Sequence, residues 1–132
     1  ASPWKGNCLE LFFEKDFARA PHRSSNAVQW ALAPGESEGA CVIWPEEIKA
    51  DVQATWKRTP TGYTIEFFIP AKLLAPFVLK PGAILGFNYC LSDHDGKPAE
   101  EYFCSKAWGG FAIPALWGAI ALADDPSTKT QH

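Results

Sequence analysis

A tryptophan and a glutamate near the start of the chain have side chains that suit the recognition of a sugar. Trp4 and Glu10 both lie in the stretch W-K-G-N-C-L-E-L-F-F. A flat indole ring can stack on the C–H face of a pyranose and remove apolar area from water, and a carboxylate accepts charge-assisted hydrogen bonds from hydroxyls. Two ordinary roles stay open from residue type alone. Trp4 can be a core or rim residue, and Glu10 can be the outward-facing acid of a strand.

A second tryptophan lies in a glycine-rich stretch, S-K-A-W-G-G-F. The glycines that follow Trp108 place its large ring on a predicted loop with little around it to bury it. A ring in this setting can face Trp4 and form a two-sided slot for a flat ligand. The alternative is a tryptophan that caps one end of the domain, since tryptophan is often partly buried.

An acidic loop, S-D-H-D-G at residues 92–96, contains two oxygen ligands suited to calcium. Asp93 and Asp95 are separated by one residue and followed by a glycine, as in part of a calcium-binding loop. The match is partial because the distal glutamate of an EF-hand is not at its usual spacing. An Asp-Gly pair also marks a polar turn by itself, and this alternative stays open.

The common catalytic motifs are absent from the sequence. It contains no G-x-S-x-G, P-loop, HExxH or GxGxxG pattern. A retaining glycosidase needs two carboxyl groups about 5 Å apart across a cleft. Glu10 and Glu66 are a conceivable pair, but the sequence does not show whether they face each other.

The elements that must position these side chains read as strands. In the first strand, Leu9, Leu11 and Phe13 alternate with Cys8, Glu10 and Phe12, so the glutamate lies on the face opposite the leucines. The clearest hairpin turns at Thr59-Pro60-Thr61-Gly62. Alternation and turn residues predict strands over residues 8–13, 27–32, 41–44, 52–58, 63–69, 84–92, 102–106 and 117–123. A single helical turn is predicted over 71–77.

This pattern predicts an all-β protein, an antiparallel β-sandwich or jelly roll, with one domain over residues 1–123 and a polar tail over 124–132. The net charge is −3 and the sequence contains no basic patch, which argues against a nucleic-acid partner. The longest apolar run, residues 112–123, is too short to span a bilayer, which needs about 20 residues. No signal peptide is visible, and a mature secreted protein would look the same.

The cysteine count leaves two interpretations open. The four cysteines at 8, 41, 90 and 104 are compatible with two disulfides or with four buried free thiols. If the chain turns around Gly96, Cys90 and Cys104 lie opposite each other, which makes them the first candidate pair.

Three stretches together resemble family 9 carbohydrate-binding modules and their DOMON-like relatives. W-K-G-N-C-L-E-L-F-F resembles the family's tryptophan-to-glutamate strand, and W-K-R-T-P-T-G-Y-T-I-E-F-F-I-P-A-K-L-L resembles its central hairpin. G-F-N-Y-C-L-S-D-H-D-G, followed later by A-L-W-G-A-I-A-L, resembles its closing strands. The order and spacing agree across almost the whole chain.

The resemblance implies a jelly-roll-like β-sandwich that binds mono- and oligosaccharides or the chain ends of plant polysaccharides. It assigns stacking to Trp4 and Trp108, hydrogen bonding to Glu10 and a further polar contact to Asn88. It also implies structural calcium, for which Asp93 and Asp95 are the candidates. The family usually has further strands before the tryptophan, whereas Trp4 comes three residues after Ala1, so we expect either a shortened domain or a part of a larger protein. The lack of methionine excludes the Met/His haem ligation of DOMON relatives.

The resulting expectation is a secreted, non-catalytic carbohydrate-binding module that targets a linked or partner enzyme to polysaccharide. Two other function classes stay open. One is a small glycoside-active enzyme that uses Glu10 and Glu66 or an acid on a loop. The other is a structural or adhesion domain that pairs with a partner through an exposed sheet edge.

Overall fold

Two antiparallel sheets make up the fold. The computed structural model describes residues 6–94, the backbone of 101–104, and residues 110–124. The strands in these ranges are β1 (Cys8–Glu14), β2 (Ala27–Pro34), β3 (Cys41–Trp44), β4 (Gln53–Thr59), β5 (Gly62–Phe68), β6 (Ile84–Asp93), β7 (Glu101–Cys104) and β8 (Gly118–Ala121). Short 3₁₀ helices cover Glu46–Ile48, Ala71–Leu74, Gly110–Ala112 and Pro114–Leu116. Across the same ranges, no helix has the length and apolar character needed to span a membrane.

The larger sheet has six strands, with β1 at its centre. Its order is β3-β2-β1-β6-β7, and β8 also pairs with β6. Leu11 of β1 lies opposite Trp30 of β2 on one side and Tyr89 of β6 on the other. The smaller sheet is the hairpin β4–β5, whose strands pair with each other and with no further strand among the described residues. The predicted antiparallel β-sandwich is confirmed.

The core lies between the two sheets. Odd-numbered residues of β1 point into it, and the hairpin covers them with Ala54 and Ile65. The buried members of this core are Leu11, Phe13, Trp30, Leu32, Ile48, Val52 and Leu85. Each such side chain contributes about 1.5–3 kcal/mol by leaving water, so this face of the large sheet is committed to packing. A polar ligand therefore has to bind elsewhere.

Among the cysteine side chains that the structure describes, one is disulfide-bonded and two are free, which matches neither two disulfides nor four free thiols. Cys90 is disulfide-bonded, and the strand register places Cys104 opposite it, as predicted. Cys8 and Cys41 are free. Cys41 is two residues from Ile43, on the core face, whereas Cys8 is two residues from Glu10, on the other face. Side chains on opposite faces of a sheet cannot form a disulfide without backbone movement.

Candidate functional site

The face of the large sheet that points away from the core carries polar side chains. On β1 this face presents Glu10, and across the sheet Glu10 lies between Ala31 of β2 and Cys90 of β6. One step along, Phe12 lies between Gln29 and Asn88. Glu10 therefore points away from the core, as the alternation in the sequence predicts. We call this surface the Glu10 face.

Glu10 is nearly buried on this face, with 7% of its surface exposed. Nε2 of Gln29 donates a 2.6 Å hydrogen bond to its Oε1. No donor among the described residues reaches Oε2, and this oxygen is not sealed from solvent. Burial raises the pKa of Glu10, and the hydrogen bond from Gln29 and the charge of Arg23 act in the opposite direction. The carboxylate thus keeps one oxygen for an incoming donor.

Arg23 brings a cation to Glu10 from the loop that follows β1. Its Nη1 donates a 3.0 Å hydrogen bond to Oε1 of Gln29, and its Nε donates a 2.7 Å hydrogen bond to the carbonyl oxygen of Phe111. Nη2 donates to no group in the described part of the chain, and the side chain is exposed. Gln29 therefore bridges an acid and a base that each keep one unused polar atom.

Two buried aromatic rings lie beneath the guanidinium of Arg23. Its Cζ is 5.4 Å from the ring centroid of Phe12 and 5.9 Å from that of Trp117. The two rings are themselves 5.6 Å apart, at an interplanar angle of 57°. Trp117 is 2% exposed, so it is a floor for Arg23 rather than an open stacking surface.

Sequence reasoning missed Arg23, Gln29 and Trp117 as site residues. A signal existed for Gln29, because it occupies the Glu10 face of a strand whose alternation was recognised. The sequence pattern predicts Trp117 only as the start of the closing strand, over residues 117–123. No periodic pattern marks Arg23, since a loop residue can reach the site only through the path of its backbone.

Of the remaining predicted site residues, Asn88 and Asp93 lie within the described part of the chain. Asn88 is buried on the Glu10 face, diagonally across from Glu10, where a direct ligand contact stays a prediction. Trp4, Trp108 and Asp95 lie outside the described residues. Asp93 is the last residue of β6. It is two residues from Leu91, which pairs with the core residue Leu9, so Asp93 is on the side of the sheet opposite the Glu10 face.

The described ranges do not contain a complete calcium site. They hold no group of three or more His, Cys, Asp or Glu side chains arranged for a metal ion. Calcium prefers six to eight oxygen ligands, so Asp93 by itself is insufficient. The calcium expectation stays a prediction.

Glu10 and Glu66 do not face each other, so they cannot act as the carboxyl pair of a glycosidase. Glu66 pairs with Thr55 on the hairpin, one residue out of phase with Trp56 and Ile65, which point inward. Glu66 therefore lies on the outer surface of the hairpin, and Glu10 lies on the outer surface of the large sheet. The whole core separates them, whereas a retaining glycosidase needs its carboxyl groups about 5 Å apart.

Solved carbohydrate-binding modules share this fold. One is a family 9 module from Caldicellulosiruptor kristjanssonii in complex with cellotriose, with a TM-score of 0.73 and 19% identity, covering 100% of this chain and 65% of that one. Another, from the same organism in complex with glucose, has a TM-score of 0.70 and 18% identity, covering 96% of this chain and 64% of that one. This chain thus spans slightly less than two thirds of the length of these structures.

The family is shown by the sequence itself. A search of curated proteins found no significant match. A family model described as "Carbohydrate family 9 binding domain-like" matches residues 1–125. That match covers nearly the whole chain and includes every strand of both sheets. The protein therefore belongs to the carbohydrate family 9 binding domain-like proteins.

Proposed function

We propose that the protein is a non-catalytic carbohydrate-binding module that holds mono- or oligosaccharides, or polysaccharide chain ends, on the Glu10 face. The main support is a pair of polar atoms without hydrogen-bond partners among the described residues, the acceptor Oε2 of Glu10 and the donor Nη2 of Arg23. Gln29 holds the two side chains together by a hydrogen bond to each. Neighbouring hydroxyls of a sugar match this pair, because one hydroxyl can donate to the carboxylate while the next accepts from the guanidinium.

The relatives support a β-glucan type of ligand. The two solved modules are in complex with cellotriose and with glucose, which share the equatorial hydroxyl pattern of a glucose ring. Because few polar atoms engage and binding costs considerable entropy, we expect weak to moderate affinity. A plant polysaccharide as the natural target is part of this proposal.

Stacking is assigned to Trp4 and Trp108 on the basis of the family resemblance. The two rings beneath Arg23 cannot take this role, because Phe12 and Trp117 are both buried. An exposed ring on each side of the sugar would add apolar contact to the hydrogen bonds from Glu10 and Arg23.

The wider setting that we propose is a secreted protein in which this module acts with a linked or partner catalytic domain. The disulfide at Cys90 supports an oxidising compartment. The linked enzyme and the structural calcium ion rest on the family resemblance.

The first experiment is a calorimetric titration with glucose, cellobiose and xylobiose. In Glu10→Gln the new amide oxygen can still accept from Gln29, and the amide nitrogen then places an N–H donor where the acceptor Oε2 stood. Losing a charged hydrogen bond of about 1.5–3 kcal/mol should lower the affinity about tenfold to a hundredfold. Glu66→Gln is the matched control, because it makes the same change on the far side of the core, and it should bind like the wild type.

The same titration on Trp4→Ala and Trp108→Ala tests the stacking assignment, and a run in EDTA tests the calcium ion. No heat with any of these sugars, from a protein shown to be folded, would overturn the proposal. Release of reducing ends that stops in Glu10→Gln would favour an enzyme. Dimers that grow with concentration, without a sugar effect, would favour pairing through a sheet edge.

A further inference from the structure

We infer that Glu14 and Arg19 are positioning residues of the Glu10 face: together they shape the loop of residues 15–26 so that Arg23 reaches Glu10. This inference rests on the proposed function. We call residues 15–26 the Arg23 loop. Neither positioning residue needs to touch the sugar, because each acts through the backbone that carries Arg23.

Glu14 ties the start of the Arg23 loop to the sheet. It is 0% exposed, and its two oxygens accept hydrogen bonds from backbone N–H groups of the loop, Oε1 from Arg19 at 2.7 Å and Oε2 from Ala20 at 3.0 Å. A buried carboxylate is costly unless it is hydrogen-bonded, and here the loop supplies both donors. The buried acid and the loop conformation therefore depend on each other.

A glycine on the neighbouring strand leaves room for this arrangement. Gly86 of β6 lies opposite Glu14 in the register. A Cβ atom at position 86 would lie 2.8 Å from the Cβ of Glu14 and 3.4 Å from its Oε1. The glutamate can therefore lie flat against the sheet, beneath the loop.

Arg19 fastens the loop to the segment that holds Trp117. Its Nη2 donates to the carbonyl oxygens of Ala115 and Trp117, each at 2.7 Å, and its Nη1 donates to that of Gly118 at 3.4 Å. The backbone N–H of Ala115 donates in return to Ala20 at 2.9 Å. The guanidinium of Arg23 stacks over the ring of Trp117. Arg19 therefore positions both the loop that carries Arg23 and the segment that carries this ring.

The backbone of the loop carries strain that these contacts hold in place. Phe17 has a φ of 48° and Arg19 a φ of 54°, in the left-handed region that side chains larger than glycine seldom adopt. Such residues persist only where the surroundings determine them, and they concentrate at ligand-binding sites. The shape of the Arg23 loop thus follows from Glu14 and Arg19 rather than from local preference.

A double-mutant cycle with cellobiose separates positioning from general stability. In Glu14→Gln the amide nitrogen faces one of the two backbone N–H donors, so one hydrogen bond is lost and the loop shifts. We expect the affinity to fall about tenfold. In the Arg23→Ala background the same change should have no further effect, because the group that it positions is gone. Additive effects, or unchanged affinity in Glu14→Gln, would overturn the inference.

Arg19→Lys provides a second variant, and hydrogen exchange without sugar reports the loop conformation directly. Arg19→Lys keeps the charge but loses the forked contacts, and Arg58→Lys on the hairpin is its control. Hydrogen exchange of residues 15–26 should quicken in Glu14→Gln and Arg19→Lys but not in Glu66→Gln or Arg58→Lys. Equal exchange would overturn the inference. If the wild type binds no sugar, the proposed function fails, while hydrogen exchange still decides whether Glu14 shapes the loop.

Discussion

Gln29 donates a 2.6 Å hydrogen bond to Glu10 across the two central strands of the large sheet. Because the Oε1 of Gln29 also accepts from Arg23, the amide can have only one orientation. The bridge keeps Glu10 and Arg23 in fixed positions before any ligand arrives, and such preorganisation reduces the entropy that binding costs.

The pH dependence of sugar binding should report the ionisation of Glu10. Burial raises its pKa above the ordinary value of 4.5, and a sugar hydroxyl donates best to the ionised form. Affinity should therefore be complete above the raised pKa and fall as the pH drops through it, at a higher pH than for an exposed glutamate. Calorimetry with cellobiose between pH 4 and 8, the range around ordinary carboxyl and histidine pKa values, measures this midpoint. An affinity that does not change over that range would contradict it.

Replacing Gln29 by leucine should move that midpoint upward. The hydrogen bond from Gln29 lowers the pKa of Glu10, so its removal leaves the raising effect of burial less opposed. Leucine keeps a similar volume, so packing against Phe12 changes little. The same pH series on Gln29→Leu gives the shift, with Gln53→Leu on the exposed side of the hairpin as control. A midpoint equal to the wild type would show that the bridge does not tune Glu10.

Gly86→Ala should destabilise the protein by about 1–3 kcal/mol, because overpacking forces backbone or side-chain movement. The added methyl group would lie 2.8 Å from the Cβ of Glu14. Gly62→Ala is the matched control, since a methyl group there meets only Oγ1 of Thr59, at 3.9 Å. Urea unfolding gives both free energies of unfolding. Equal losses in the two variants would mean that the contact with Glu14 carries no cost.

The two free cysteines should react at different rates. Cys8 is 0% exposed and burial raises its pKa to about 12, whereas Cys41 is only half-buried. The thiolate is the reactive form, so iodoacetamide should label Cys41 before Cys8 in the folded protein. Peptide mass spectrometry measures both rates. Labelling of Cys90 in the unfolded protein without a reductant would contradict its disulfide.

Leu32→Ala should cost about 2–5 kcal/mol of the free energy of unfolding, since it removes a fully buried side chain from the core and leaves a cavity. Val42→Ala on the edge strand β3 is the control. Val42 is 50% exposed, so its truncation should stay within about 0.5 kcal/mol. Urea unfolding compares the two variants, and similar losses would contradict the position of the core.

Much of the sheet could be predicted from local pattern. The strand around Leu11 and the hairpin around Ile65 alternate with a period of two, and that period follows from the geometry of a single strand. The outward direction of Glu10 followed from the same rule. The opposition of Cys90 and Cys104 followed from a turn between two adjacent strands.

The pairing of Glu10 with Glu66 failed for a physical reason. Both residues lie on the non-core side of their strands, but the sequence does not state which sheet each strand joins. Once the hairpin forms a sheet of its own, two outward residues point in opposite directions. Long-range pairing of strands decides this, and no local pattern contains it.

The sequence by itself therefore determined the alternating strands, the apolar face that becomes the core, the family and the candidacy of Glu10. Only the tertiary structure decided that Arg23 and Gln29 join Glu10 in the candidate site, and that Glu14 and Arg19 hydrogen-bond to the backbone around the loop between them. The reason is that strand periodicity arises from the backbone of each residue and its nearest neighbours. The path of a loop depends instead on contacts with segments about a hundred residues away, such as that of Arg19 with Trp117.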